Sequence, residues 1–373
     1  MLGTLFLLIT STFFPSPGVL AEEPVPLKYS QSEIEGKWQI RIQSFLDKDV
    51  IPLIDFLSFL PRKGSKPVIR WTQDVMDAEG VALISFAGYW APKEPGSKGH
   101  RWDYYIHRVV NAEPDRFILT TNKGANRNWW KQKSGDSRDY IEQLERQVLG
   151  GNYPFIGQIE FRHYMSNAQC KAGKTHRDIN IPLNGPAGHR VFKLSSATGI
   201  PFSIHLEPEY SPLAALEEML QAYPKAKVIV SHFGQIRHPE REQRFSPKFI
   251  EHLLMTYPNL YFDLSAGEPG RVYKCVDRRV LDTVIWEDDG RGGQTDTLKN
   301  EYKEVLIKFS ERFVVGFDYG PSNRQTADFL KRRIANIRLI LRDLPDKAKH
   351  NIGYKNAWYL LTHKVWQELR PSS

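Results

Sequence analysis

From residue 50 onward the chain alternates short apolar runs with longer stretches of helical period. The runs are VIPLIDFL (50–57), VALISFAG (81–88), RFILTT (116–121), FIGQIEF (155–161), PFSIHL (201–206), KVIVSHFG (227–234), NLYFDLS (259–265) and RFVVGFD (312–318). They are rich in Val, Ile and Phe and lack the polar alternation of a half-exposed strand. That pattern predicts strands buried on both faces of a parallel sheet.

The intervening segments carry helix signals with physical causes. SPLAALEEMLQAYP starts with Ser211 as a cap and Pro212 at the first helical position, and places Leu213, Leu216, Met219 and Leu220 on one side. SPKFIEHLLMTYP repeats that opening with Ser246 and Pro247. DSRDYIEQLERQVLGG stops on two glycines, and TADFLKRRIANIRLILRDLP stops at Pro345. Eight successive β/α units predict an α/β fold of the (β/α)8 barrel type over residues 50–366. An N-terminal arm (22–49) precedes it, and a short tail (367–373) follows. Residues 89–101 and 266–293, rich in Gly, Pro and charge, read as long loops, and EDDGRGGQTD (287–296) lacks the ligand spacing of a calcium loop. No glycine-rich phosphate-binding motif follows any strand.

Composition adjusts this picture at three points. The first 21 residues, LGTLFLLITSTFF followed by PSPGVLA, read as a secretory leader or a short hydrophobic anchor, which predicts an exported protein. No other run reaches membrane-spanning length. The formal charge of +8 comes from basic residues interleaved with acids, which argues against a nucleic-acid tract and suits a small anionic ligand. The two cysteines, Cys170 and Cys275, exclude a disulfide scaffold, and the sequence leaves them either paired or separate.

Chemistry in such a barrel sits at the C-terminal ends of the strands. Those ends carry Asp55, then Glu160 and Arg162, His205 and Glu207, His232, Asp263 with Ser265, and Asp318. Converging imidazoles and carboxylates either hold a divalent cation or act without one as general bases toward water. Trp129 and Trp130 lie among Lys and Arg after the third run, as a substrate cover or a packed anchor.

The motifs FIGQIEFR, GIPFSIHLEPE, KVIVSHFG, NLYFDLS, FVVGFDYG and IGYKNAWYLL resemble the successive strands of the amidohydrolase-related family of metal-dependent hydrolases, from about residue 50 to 365. The resemblance implies that His205 and Asp318 stand at metal-ligand positions, that His232 stands at the catalytic or second-metal histidine, and that Asp318 takes a proton from the attacking water.

The first strand departs from that family's Asp-x-His-x-His pattern. Asp55 is kept, but Leu57 and Phe59 stand where the histidines belong, and neither can ligate anything. Three outcomes follow. One is a hydrolase without metal, in which Asp318, His232 and His205 act on a small anionic lactone, amide or ester. Arg162 would then hold the substrate's charge, with Glu160, Asp55 and Glu207 in support. Another is a zinc or manganese site rebuilt from His205 and Asp318 with Glu160 or His163. The third is a non-catalytic ligand-binding barrel.

Overall fold

The computed structural model describes residues 26–60, 66–88, 102–125, 129–131, 140–237, 245–276, 280–320 and 325–369. The leader segment expected over residues 1–21 and the loop expected at 89–101 lie outside them, as does most of the segment after Trp130.

Eight parallel strands form the centre: β1 (Leu53–Phe59), β2 (Val81–Ala87), β3 (Phe117–Ile118), β4 (Ile156–His163), β5 (Phe202–Leu206), β6 (Val228–Val230), β7 (Leu260–Asp263) and β8 (Phe313–Val314). Ladders join β1–β2–β3 and β4–β5–β6–β7–β8. Two seams of isolated parallel bridges close the ring. Thr120 and Gly124 bridge Phe155 and Ile159 between β3 and β4, and Asp55 and Ser58 bridge Val315 and Tyr319 between β1 and β8. The fold is the (β/α)8 barrel that the eight apolar runs predict.

The seams explain two local sequence choices. At the first, a Cβ on Gly157 would stand 2.7 Å from the Thr121 carbonyl oxygen and 2.9 Å from Ala87 Cβ, so only glycine lets the strands meet. At the second, Asp55 is fully buried and its Oδ1 accepts the amides of Leu57 (3.0 Å) and Phe317 (2.7 Å), tying β1 to the chain beyond β8.

Most helices follow their sequence signals. Ser246 caps the helix Pro247–Thr256 by accepting the Phe249 amide, and the helix Tyr140–Leu149 runs into Gly150 and Gly151. The helix expected to have Ser211 as its cap and Pro212 as its first residue begins two residues earlier, spanning Tyr210–Ala222 with Glu209 at the cap. Glu209 at its N-cap makes no capping bond because its carboxylate pairs with Arg162 and Tyr164. In the arm, α1 (Gln31–Leu46) buries Trp38 and Ile42 completely. Its Arg41 donates to the carbonyls of Val81 and Ala82, so the helix lies against the start of β2, opposite the mouth.

The stretch read as a loop from 266 to 293 is a correction. It contains one antiparallel ribbon, Val272–Tyr273 with Val280–Leu281, and the first strand and turn of a second, in which Trp286–Asp288 pairs with Gln294–Leu298 just beyond the stretch. Residues 289–293 are the turn of the second ribbon, in which Asp289 Oδ1 accepts the amides of Arg291 and Gly293. Short turn-forming polar runs hide such ribbons because their strands are only two to five residues long. Both thiols are free and half-buried. Among the described residues no helix is long and apolar enough to cross a membrane.

Candidate active site

Three imidazoles meet at steep angles inside the mouth, 59° between the first two rings and 63° between the second two. The ring centroids of His163 and His205 are 4.5 Å apart, and those of His205 and His232 are 4.7 Å apart. All three are buried and held neutral, because burial and neighbouring positive charge oppose protonation. For His232 the pKa falls to about 4, with burial the main cause and His205 the next.

His232 is also oriented. Its backbone takes a left-handed conformation, φ +67°, and its amide donates to Asp263 Oδ1 at 2.9 Å. Nδ1 lies 2.7 Å from Ser265 Oγ and 3.2 Å from the Ser265 carbonyl oxygen. A carbonyl only accepts, and Ser265 Oγ donates its single hydrogen to Asp263 Oδ1, so Nδ1 must carry the imidazole proton. That leaves Nε2 as the ring's acceptor, facing the Gln158 amide nitrogen, which donates to it at 3.4 Å.

His205 lies 3.3 Å through Nε2 from Glu207 Oε1, which is also 3.3 Å from Arg237. Burial pushes the Glu207 carboxyl up to about 7, partly opposed by Arg237. A small cavity of about 10 Å³, room for about one water, is lined by His205, Glu207, Ser231 and His232 among others. Asp318, also left-handed at φ +47°, is the open member: its side chain is 41% exposed, and Arg333 holds Oδ2 at 3.3 Å. Beneath the site, burial raises the Asp55 carboxyl to about 7.

The expected residues therefore divide. His205, His232, Glu207 and Asp318 gather at the mouth, and Asp55 supports them from the seam. Glu160 is buried nearby, gripped by Arg177 through both oxygens (2.6 and 2.7 Å) and 3.7 Å from Lys123 Nζ. Arg162 instead turns to the flank, against Glu209, Asp178 and the Tyr164 ring. Strict alternation along β4 would have placed Arg162 beside Glu160, but a register shift between those residues gives that place to His163. Trp129 is an anchor, fully buried with its indole N–H on the Glu160 carbonyl (3.0 Å), whereas Trp130 is 40% exposed. Sequence reasoning missed Gln158, a polar residue in the middle of the fourth run rather than at its end, and Lys123, Arg177, Arg237 and Arg333, which lie beyond the apolar runs on segments whose approach to the mouth only the fold reveals.

The sequence profile described as Amidohydrolase matches residues 160–361, more than half of the chain. The chain belongs to the amidohydrolase family. Among solved structures, 4-oxalomesaconate hydratase from Rhodopseudomonas palustris is 14% identical over 88% of this chain and 92% of its own, with a TM-score of 0.48. Dihydroorotase from Campylobacter jejuni is 13% identical over 85% and 84%, with a TM-score of 0.47. 2,6-Dihydroxybenzoate decarboxylase from Rhizobium is 11% identical over 78% and 87%, with a TM-score of 0.45. No curated protein matches the chain.

Against the metal site that the family resemblance implies, the donor set of this amidohydrolase barrel does not fit a divalent cation. Leu57 and Phe59 are buried with Ala87 in an apolar cluster of their own, and the His205 Nε2 is engaged by Glu207. Among the described residues no three His, Cys, Asp or Glu side chains converge as ligands.

Proposed function

We propose that this amidohydrolase-family barrel is an exported hydrolase that adds water to a small anionic lactone, amide or ester, with its own side chains in place of a metal ion. The observation that carries this reading is the hydrogen-bond chain from Asp263 through Ser265 to His232. A neutral imidazole whose Nδ1–H is fixed presents Nε2 as a base to the mouth. Water attacks the carbonyl carbon as Nε2 takes its proton, and the imidazolium returns that proton to the leaving oxygen or nitrogen. Asp318, solvent-facing and held by Arg333, orients the water, and His205 packs against His232 to position water or substrate. The apolar run of residues 2–14, followed by Val19-Leu20-Ala21 where a leader would be cleaved, supports export.

The test is a screen of lactones, amides and esters carrying a carboxylate, run with and without chelator. Turnover that survives chelation and falls by about 10²–10⁴-fold in His232→Gln supports the reading. Turnover that vanishes with chelator and returns with added zinc or manganese would defeat it. A second reading, a ligand-binding barrel without catalysis, is favoured by the loss of both first-strand histidines. It predicts binding without turnover of any compound in the screen.

A further inference from the structure

Phe59 stands where the family's first strand offers its second histidine, yet it is not merely filler. Its ring carries the ammonium of Lys123, with Nζ 3.8 Å from the centroid, an arrangement in which a π-face attracts a cation. Lys123 enters from the β3–β4 seam, where its own amide donates to the Gly88 carbonyl and the next residue, Gly124, bridges β4. The lysine is buried, only 7% exposed, and Nζ lies 3.7 Å from Glu160 Oε1. Its charge reaches both Asp318 and His163. One positive charge thus stands among contributions from the first, third, fourth and eighth strands, where the family resemblance puts a cation.

We propose that Lys123 is the substrate-binding cation of this barrel, and that it takes the substrate's carboxylate. The proposal rests on the hydrolase reading for the identity of the substrate but not for the binding step. An ammonium is suited to this because it is a compact charge with three donors, and a desolvated wall strengthens its hold on an anion. Burial lowers its pKa to about 8, with Glu160 opposing the fall, so it remains mostly charged at neutral pH. Arg177, the other cation on Glu160, is spent on both oxygens of that carboxylate, and Arg162 is clasped on the flank by Glu209 and Asp178.

Oxalate, a small dicarboxylate, is the probe. Calorimetric titration of the full mature chain should show saturable binding that weakens tenfold or more in Lys123→Met and survives within a few-fold in Lys123→Arg. In Lys123→Met the Glu160 carboxylate keeps Arg177 on both oxygens, so the variant should still fold, and its melting curve set beside that of Lys123→Arg separates lost binding from lost folding. Equal oxalate affinity in Lys123→Met, or no oxalate binding to the parent, overturns the proposal. His232→Gln keeps the two readings apart. Oxalate binding that depends on Lys123 but no turnover in any variant removes the hydrolase and leaves the lysine's role standing. His232-dependent turnover with Lys123-independent oxalate binding does the reverse.

Discussion

Asp55 and Asp263 each accept backbone amides from neighbouring strand ends, Leu57 and Phe317 for the first, His232 and Ser265 for the second. A core acid at the start of the barrel is thus a clasp across a seam as well as part of the site's floor. Its cost depends on pH. Burial raises Asp55 from its ordinary value near 4 to about 7, so the folded chain favours the protonated form. Its contribution is complete below about pH 4, declines as pH rises, and is lost once pH passes about 7. Three pH units correspond to roughly 4 kcal/mol at most. Asp55→Asn keeps the acceptor oxygen and removes the titration, so its melting temperature should fall less than the parent's between pH 5 and pH 8. Parallel melting curves for the two proteins across that range would refute the assignment. A second residue-level prediction concerns Ser265. Ser265→Ala leaves the His232 amide on Asp263 but cuts the imidazole's hydroxyl link to that carboxylate, so kcat should drop roughly 10–100-fold with little change in KM. A change confined to KM would mean that the chain serves binding rather than proton transfer.

At the scale of elements, what the sequence makes legible follows from how local each cause is. Ser246-Pro247 and Gly150-Gly151 act within a turn, and the structure obeys them. Ser211 fails as the cap because Glu209 is held by Arg162 and Tyr164, partners more than 40 residues away, and the helix starts where that carboxylate leaves it. The same distinction runs through the site. His205, His232 and Asp318 end apolar runs and could be read directly, whereas the exchange of Arg162 for His163 depends on a register shift that alternation cannot show. Lys123 lies two residues past the run ending at Thr121, and only the seam brings it to Phe59 and Glu160. The N-terminal arm is structural. Trp38 is wholly buried and its indole N–H donates to the Pro114 carbonyl at 2.9 Å, joining α1 to the segment before β3. Trp38→Ala should cost about 3–5 kcal/mol in chemical denaturation while leaving the mouth's chemistry intact. A loss under 1 kcal/mol would show that the arm is dispensable to the barrel.

For the whole molecule, the mismatch between family and donor set makes a prediction of stoichiometry. Elemental analysis of the purified mature chain should find far less than one equivalent of zinc or manganese, before and after chelator. One tightly held equivalent would show that His205 and Asp318 recruit ligands from segments beyond the described residues. The ring's construction has a further consequence. Continuous ladders bind three strands into one arc and five into another, but isolated bridges alone join the arcs. Amide protons at those joints, such as those of Phe56, Phe59, Thr121 and Gly124, should exchange with heavy water ahead of those inside the arcs. The joints run past Asp55 and Lys123, so the barrel would breathe as two unequal shells hinged beside its own reactive centre.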